Sequence, residues 1–211
     1  MMICLYFTLA SISVAQAQPD NKPAMCAGCS PILGEEWLDR QLSANARDIH
    51  NYLFKWGYPL EGEDPFTSSR ATRDAILSRI PGKKVFYFIG HGGLDGWITV
   101  FLAWDGKVKS YEITPPWSYF FVFLNACKSI LLEDMAQAFI TCYGIGCYVG
   151  WTYDIWSNDA IEFSLAFFGV IDLIDCSVYE ALIAASFATE IYGWGYYGVA
   201  ELIYLKSGMN G

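Results

Sequence analysis

Two apolar runs decide the fold: Val85-Phe-Tyr-Phe-Ile-Gly-His-Gly-Gly93 and Phe120-Phe-Val-Phe-Leu-Asn-Ala-Cys-Lys128. Each run ends abruptly in a reactive side chain, His91 in the first and Cys127 in the second. Short runs of this kind favour strands buried on both faces, as in the middle of a parallel sheet. Functional groups gather beyond the carboxyl ends of such strands, so an imidazole and a thiol are predicted at one edge of the sheet. This pairing suits covalent catalysis, because a cysteine needs a base or a cationic neighbour to be populated as thiolate near neutral pH.

Length and composition favour a single globular domain. The chain has 211 residues, of which 54% are hydrophobic and 17% aromatic, so it can bury a sizeable core and is not expected to be disordered. Its 13 basic and 22 acidic residues give a formal net charge of -9. This balance argues against nucleic-acid binding, which needs a basic face, and mildly favours cationic partners.

The first residues resemble a secretory signal. Met1–Val14 is apolar and uncharged, and the small-x-small sequence Ala15-Gln-Ala17 follows it. We therefore expect a cleaved signal peptide over residues 1–17 and a secreted or cell-envelope protein, although no basic residue precedes Lys22. An uncleaved anchor and a buried first strand are the alternatives. No later stretch reaches membrane length without a charge, so no stable membrane span is expected.

The cysteines leave the redox compartment open. Cleavage would leave six of the seven, and a free Cys127 would leave five, which cannot all pair within one chain. Cys26 and Cys29 have CxxC spacing, for which a local disulfide or an inert pair is favoured over a redox dithiol, and zinc is not expected. Cys142 and Cys147 flank a Gly-rich turn and are interpreted as packing residues or a small-loop disulfide, while the pairing of Cys176 stays open.

Strands and helices alternate over residues 35–211, which indicates a three-layer α/β/α sandwich with a mostly parallel central sheet. Residues 18–34 are interpreted as a leader or linker because of their prolines and close cysteines. Helices are predicted over 35–56, 67–80, 129–141, 158–173 and 178–188, and further strands over 146–151 and 199–205, with a Gly/aromatic loop at 193–198. The Asp105-Gly106 pair between two β-rich runs predicts an inserted hairpin.

Neither reactive residue is decisive by itself. A histidine at a strand end often satisfies backbone groups, but the glycines around His91 favour a turn that a substrate can approach. A cysteine after a buried strand is usually a small core residue. A helix beginning at Ser129 would favour function for Cys127, because a helix N-terminus stabilises a thiolate.

Together the two sites resemble the caspase-like (clan CD) cysteine peptidases, most closely the gingipain-like and CHAT branches. The family pattern is an apolar strand ending in His-Gly and a later one ending in Ala-Cys, and Phe88-Ile-Gly-His-Gly92 and Leu124-Asn-Ala-Cys127 are similar to it. The likeness extends over about residues 45–207. The family's first parallel strand would have to come from the leader or be missing.

The resemblance implies a role for each matched residue. Cys127 would be the nucleophile and His91 the general acid and base, acting as a dyad without a third carboxylate. The backbone N–H groups of Gly92 and Cys127 would form the oxyanion hole. The resemblance implies a peptide or protein substrate and neither a cofactor nor a metal.

Substrate contacts are expected from Asn125 and from the segment after the 146–151 strand. Asn125 stands where some relatives carry an acid that recognises the first substrate residue. Trp151, Tyr153 and Asp154 would line the cleft, with Asp154 attracting a Lys or Arg side chain, although a solvated loop with buried aromatic residues is the alternative. The sequence thus predicts a cysteine endopeptidase, with cleavage after basic residues favoured. The alternative is an inactive caspase-like binding or scaffold domain.

Overall fold

A computed structural model of the chain describes residues 24–59, 65–113, 120–140 and 146–206. The predicted signal peptide and Cys142 lie outside the described residues. The helices are α1 (Glu36–Lys55), α2 (Arg73–Arg79), α3 (Asp134–Phe139), α4 (Ser157–Leu173) and α5 (Val178–Thr189). The strands are β1 (Ala24–Cys29), β2 (Phe66–Thr67), β3 (Val85–Gly90), β4 (Gly92–Asp95), β5 (Ile98–Ala103), β6 (Gly106–Lys109), β7 (Phe121–Asn125), β8 (Cys147–Trp151) and β9 (Trp194–Gly198).

The central sheet has six strands in the order β2-β1-β3-β7-β8-β9. All neighbouring pairs are parallel except β8 and β9, which are antiparallel. The two runs quoted from the sequence are β3 and β7, which lie side by side in the middle of the sheet. Every residue of β7 is buried, as expected for a strand covered on both faces.

Helices cover both faces of the sheet, and each face has its own core. On one side α1, α4 and α5 pack through residues such as Leu42, Ile49, Phe163 and Phe167. On the other side α2, α3 and a small second sheet pack around Phe86 and neighbouring apolar side chains. The predicted three-layer α/β/α sandwich with a mostly parallel sheet is confirmed. Within the described ranges, no helix combines the length and apolar character that crossing a bilayer requires.

Residues 24–29 correct the leader prediction, because they form β1 and pair with β3 along the whole strand. The first parallel strand of the sheet therefore comes from the segment interpreted as a leader or linker. Successive side chains of a strand point to opposite faces, so Cys26 faces the core of α1 while Cys29 faces the other core. Both are buried free thiols. A disulfide between them is therefore excluded, and the redox interpretation is wrong as well, because neither thiol is exposed.

The long helices match the predictions, and the short elements do not. The predicted helix over 67–80 is a β-strand and a 3₁₀ turn followed by α2, whose N-cap is Thr72. The helix predicted from Ser129 begins only at Asp134, after a series of turns. Residues 194–198, interpreted as a loop, form the edge strand β9, and the strand predicted over 199–205 begins with a 3₁₀ turn instead.

The inserted hairpin exists and is larger than predicted. Strands β4, β5 and β6 form a separate antiparallel sheet, and the two-residue turn Trp104-Asp105 joins its second and third strands, with Gly106 as the first residue of β6. Strand β4 begins at Gly92, directly after His91. The hairpin therefore continues from the residue that ends the central strand and fixes the position of that end.

Candidate active site

The two reactive residues come together at the carboxyl edge of the central sheet. In the β3–β7 ladder, Ile89 is paired with Asn125. His91 and Cys127 each lie two residues beyond this last pair. Both line one cavity of about 340 Å³. The parallel register thus brings a thiol and an imidazole that are distant in sequence to a shared opening.

The cavity lies between the beginnings of α1 and α4. Its polar or reactive lining consists of Glu35, His91, Asn125, Cys127 and Ser157. The rest of its wall is apolar or backbone: Trp37, Leu38, Leu42, Ile89, Gly90, Ile155, Trp156 and Ala160. Both helices begin next to the sheet edge, so they enclose the space beyond the ends of β3 and β7.

A carboxylate and a hydroxyl hold the His91 ring. Its Nε2 lies 2.9 Å from Glu35 Oε2 and 3.1 Å from Ser30 Oγ. Ser30 Oγ also donates a hydrogen bond to the same carboxylate oxygen over 2.7 Å. A carboxylate can only accept, so the neutral imidazole carries its proton on Nε2. Nδ1 is then the ring nitrogen that can take up a proton.

Glu35 is ionised in this arrangement. The hydrogen bond from Ser30 is the largest cause of a lowered pKa for this carboxyl, and the hydrogen bond and charge of His91 act in the same direction. Its side chain is only 31% exposed. Sequence reasoning missed both Glu35 and Ser30, because they follow β1, the strand that was interpreted as a leader. Recognising β1 would have placed both at the sheet edge where His91 lies.

The Cys127 thiol is held differently. Its Sγ donates to the carbonyl oxygen of Ile155 at 3.5 Å. Burial raises the pKa of the Cys127 thiol above its usual range. The negative charge of Asp154 contributes further to the rise. Burial and this charge therefore favour the neutral thiol over the thiolate.

The turn after Cys127 is fixed by β8 and the residues that follow it. Lys128 adopts a left-handed backbone conformation with φ 53°, and its N–H donates to the carbonyl of Tyr153 over 3.0 Å. Ser129 Oγ donates to the carbonyl of Leu124 and accepts from the backbone N–H of Trp151. These bonds position the thiol without a helix, so the predicted helix N-terminus at Ser129 does not stabilise a thiolate here.

Gly92 lies against the same turn. A Cβ built on it would lie 2.7 Å from the Cβ of Ala126 and 3.1 Å from the carbonyl oxygen of Cys127. Real Cβ atoms are not found at the first of these distances, so only glycine allows β4 to approach the end of β7 so closely. The backbone that follows His91 and the backbone at Cys127 are therefore in direct contact.

The predicted substrate-contact residues are distributed between the core and the surface. Asn125 lines the cavity but is only 1% exposed, and Trp151 is fully buried and donates from Nε1 to Asn125 Oδ1 over 2.7 Å. Tyr153 is exposed and donates from its hydroxyl to the carbonyl of Tyr192. Asp154 forms an ion pair with Lys128 over 2.7 Å. Of the four, only Asn125 is part of the cavity wall.

Metal chemistry finds no donor set in the described residues. In the part of the chain that the structure describes, no group of three or more His, Cys, Asp or Glu side chains has an arrangement that could hold a metal ion. Cys147 and Cys176 are buried free thiols away from the cavity. Cys127, His91 and Glu35 are the titratable side chains that line the cavity.

Comparison with known proteins supports the fold. No family model matches the chain, and no curated protein matches it. Among solved structures, it is similar to gingipain R, described as an Arg-specific cysteine proteinase, with a TM-score of 0.57 and 16% identity. The chain shares its fold with gingipain R. The match covers 87% of this chain and 48% of the other, so this chain spans about half the length of that structure. The central sheet and its helices therefore have a caspase-like fold.

Proposed function

We propose that this protein is a cysteine endopeptidase in which Cys127 is the nucleophile and His91 the general acid and base. The observation that carries the proposal is the shared cavity at the ends of β3 and β7, lined by both residues. The caspase-like fold of a cysteine proteinase supports it at the level of architecture.

The first step transfers the thiol proton to His91. Because the carboxylate of Glu35 holds the Nε2 proton, Nδ1 accepts the proton of Cys127 as the sulfur attacks the carbonyl carbon of the peptide bond. The imidazolium that forms is stabilised by the same carboxylate. Glu35 thus acts as a positioning residue, a role that dyad chemistry alone does not require.

The negative oxygen of the tetrahedral intermediate needs donors at a fixed distance. The backbone N–H groups of Gly92 and Cys127 are the proposed donors, and the close contact of the two backbones favours a preorganised pair. His91 then protonates the leaving amine, which releases the first product and leaves a thioester on Cys127. Water deprotonated by His91 hydrolyses this thioester and restores the thiol.

Peptide cleavage by the recombinant chain and its Cys127→Ala variant tests the proposal. We expect turnover of a peptide library by the parent and none by the variant, together with labelling of Cys127 by a thiol-reactive peptide analogue. Cys176→Ala is the matched control, because Cys176 is buried outside the cavity, and it should retain turnover. Equal turnover by Cys127→Ala and the parent would assign the activity elsewhere and refute the proposal.

A non-catalytic binding domain is the second candidate, and it is favoured by the partial burial of the Cys127 thiol and by its hydrogen bond to the Ile155 carbonyl. A binding domain would use the same cavity without covalent chemistry. Peptides would then bind the parent and Cys127→Ala equally well, and neither protein would cleave them. Covalent labelling of Cys127 by a substrate-like analogue, dependent on His91, would exclude this candidate.

A further inference from the structure

Strand β4 has an open edge beside the proposed catalytic histidine. The strand begins at Gly92, directly after His91, and it is the outer strand of the β4-β5-β6 sheet. Among the described strands its neighbour is β5, in an antiparallel register that runs from Gly92 opposite Phe101 to Asp95 opposite Ile98. The other side of such an edge strand carries backbone N–H and C=O groups that have no partner in the sheet.

The register decides which backbone groups of β4 face outward. Residues of an antiparallel pair alternate between positions that exchange hydrogen bonds and positions that do not. The Leu102 N–H donates to the His91 carbonyl over 2.9 Å, so the ladder bonds fall on every second residue from His91 onward. The N–H and C=O groups of Gly92 and Leu94 therefore point away from β5.

The contacts of Thr99 agree with this alternation. Thr99 lies opposite Leu94, yet its N–H donates to Asp134 Oδ2 over 2.9 Å rather than across the ladder. Among the described residues, neither Gly92 nor Leu94 forms a backbone hydrogen bond outside the ladder. Two donors and two acceptors are thus available along the outer edge of β4.

The open edge is accessible and is held at both ends. A Cβ built on Gly93 would meet no atom of the described residues within 4 Å, and glycine in a strand allows another backbone to approach closely. At the far end, Asp95 forms ion pairs with Lys107 and Lys109 of β6. At the near end, the strand packs against the Cys127 turn. A fixed edge loses little conformational freedom when a second strand adds to it, which favours binding.

We propose that the open edge of β4 binds the substrate main chain that follows the cleaved bond, as an added parallel strand. The inference rests on the proposed peptidase function and specifies how the departing half of the substrate is held. His91 must reach the leaving nitrogen in order to protonate it. Because β4 continues from His91, the departing half is placed on the β4 side of the site.

The parallel pairing has a defined register. Its first bond runs from the Gly92 N–H to the carbonyl of the cleaved bond, as proposed for the oxyanion. The Gly92 carbonyl then accepts from the N–H of the second residue after the cleaved bond, and the Leu94 N–H donates to the carbonyl of that same residue. The N–H of the third residue points away from β4, because successive backbone groups of a strand alternate in direction.

N-methylation of the substrate tests this register with the parent chain. One cleaved peptide is prepared with a methyl group on the amide nitrogen of either the second or the third residue after the cleaved bond. We expect the first substitution to lower kcat/KM by about fivefold, as for loss of one backbone hydrogen bond, and the second to leave it unchanged. Equal losses, or a loss at the third residue alone, would overturn the inference.

A matched pair of proline variants tests the protein side. Leu94→Pro removes the outward N–H without removing a ladder bond, as proline does at an edge position. Lys107→Pro does the same on the opposite edge, in β6, where Lys109 two residues later donates its N–H outward to Glu112.

The measured quantity is the ratio of kcat/KM for two substrates, one with several residues after the cleaved bond and one with a fluorescent amine directly there. Leu94→Pro should lower this ratio by about fivefold, whereas Lys107→Pro should keep the parent ratio. Thermal unfolding checks that both variants fold. An unchanged ratio in a folded Leu94→Pro protein would refute the pairing.

Peptide binding in the Cys127→Ala background separates this inference from the peptidase proposal. Cleavage that responds neither to N-methylation nor to Leu94→Pro refutes the pairing and leaves the peptidase intact. No cleavage, together with binding that Leu94→Pro weakens and Lys107→Pro does not, refutes the peptidase and supports the edge as a peptide-binding strand. Absence of both cleavage and binding refutes both. A dimer of the parent chain that Leu94→Pro dissociates would assign the edge to a second copy and overturn the inference.

Discussion

The end of β3 and the end of β7 hold their reactive side chains in contrasting ways. His91 is fixed by polar groups, with Glu35 at 2.9 Å and Ser30 at 3.1 Å from its Nε2. Cys127 lies against the backbone of Ile155, and its burial raises the pKa of its thiol. The surroundings of His91 supply a negative charge, whereas the surroundings of Cys127 shield its thiol from water.

This difference indicates that the imidazole is already oriented for proton transfer in the free protein, whereas the surroundings of the thiol do not favour its ionisation. A thiol with a raised pKa stays protonated at neutral pH and is a poor nucleophile until a base removes its proton. The Glu35 carboxylate accepts a hydrogen bond from Nε2 of the imidazole, so Nδ1 is the nitrogen that can receive the thiol proton. Proton transfer during attack, rather than a resting thiolate, is therefore the chemistry that these two environments favour.

Removal of the proposed base, His91, should have the largest effect on peptide turnover. His91→Ala is expected to lower peptide turnover by about 10²- to 10⁴-fold, since no other group would take the thiol proton. Initial rates on one cleavable peptide measure the loss, and thermal unfolding checks that the variant folds. His50→Gln, which changes the other described histidine outside the cavity wall, should keep the parent rate. If His91→Ala retained the parent rate, the base would have to be another group.

A change at the contact between the strand ends should have the next largest effect. Gly92→Ala forces a Cβ to within 2.7 Å of Ala126, so β4 and the Cys127 turn must separate. We expect about a hundredfold loss of turnover from a displacement approaching 1 Å, and a stability loss of about 1–3 kcal/mol from overpacking. Rates and denaturant unfolding of the same preparation measure the two effects.

The control for this variant is Gly106→Ala in the hairpin. Its Cβ would meet only Arg73 Cδ at 3.9 Å, an ordinary contact, so neither rate nor stability should fall as far. Parent-like turnover in Gly92→Ala would mean that the approach of the two backbones does not set the reactive geometry.

The sheet and the two reactive strand ends were predictable because their signals are local. Residues 85–89 and 121–124 are continuous apolar runs, and such runs predict buried parallel strands whose carboxyl ends meet at one edge. The long helix α1 was equally predictable, since its apolar residues recur at helical spacing and Gly57 follows its end with φ 88°. The roles of His91 and Cys127 in chemistry remain predictions.

The polar half of the site was not predictable, because its signal is not local. Residues 24–29 are a strand only by pairing with β3 on one side and β2 on the other, and their small residues and cysteines carry no strand period. Without β1, Ser30 and Glu35 had no predicted place beside His91. The same limit explains β9, where aromatic and glycine residues become a strand through pairing with β8. Tertiary contacts override local preference in both cases.

Neutralising Glu35, which orients the His91 ring, should have an intermediate effect on peptide turnover. Glu35→Gln keeps the shape of the side chain and removes its charge, so turnover should fall by about tenfold, as for loss of one charged hydrogen bond. Glu36→Gln changes the neighbouring carboxylate, which does not line the cavity, and should leave turnover unchanged. An equal loss in both variants would indicate a general charge effect.

The same variant should change how stability depends on pH. The pKa of Glu35 is lowered in the folded protein, so the ionised group stabilises the fold above the ordinary carboxyl pKa. That contribution is lost as pH falls through the lowered pKa. The difference in unfolding free energy between parent and Glu35→Gln should therefore be largest near neutral pH and shrink in acid. A difference that grows in acid would contradict the assigned hydrogen bonds.

The smallest effect is expected where the sequence placed the substrate-binding charge. Asp154 is paired with Lys128 at the surface, and its side chain is 68% exposed. Asp154→Asn should change stability by no more than about 1 kcal/mol, as for other exposed ion pairs. The relative cleavage of Arg and Leu peptides should change by less than about twofold, because a screened, exposed carboxylate attracts a substrate charge weakly.

Asp175→Asn, also exposed but far from the strand ends, is the control for net charge. A tenfold loss of Arg cleavage specific to Asp154→Asn would mean that the Cys127 end of the site supplies charge after all. The contrast between a charged β3 end and a desolvated β7 end would then be wrong, since Asp154 already acts on the sulfur through its negative charge.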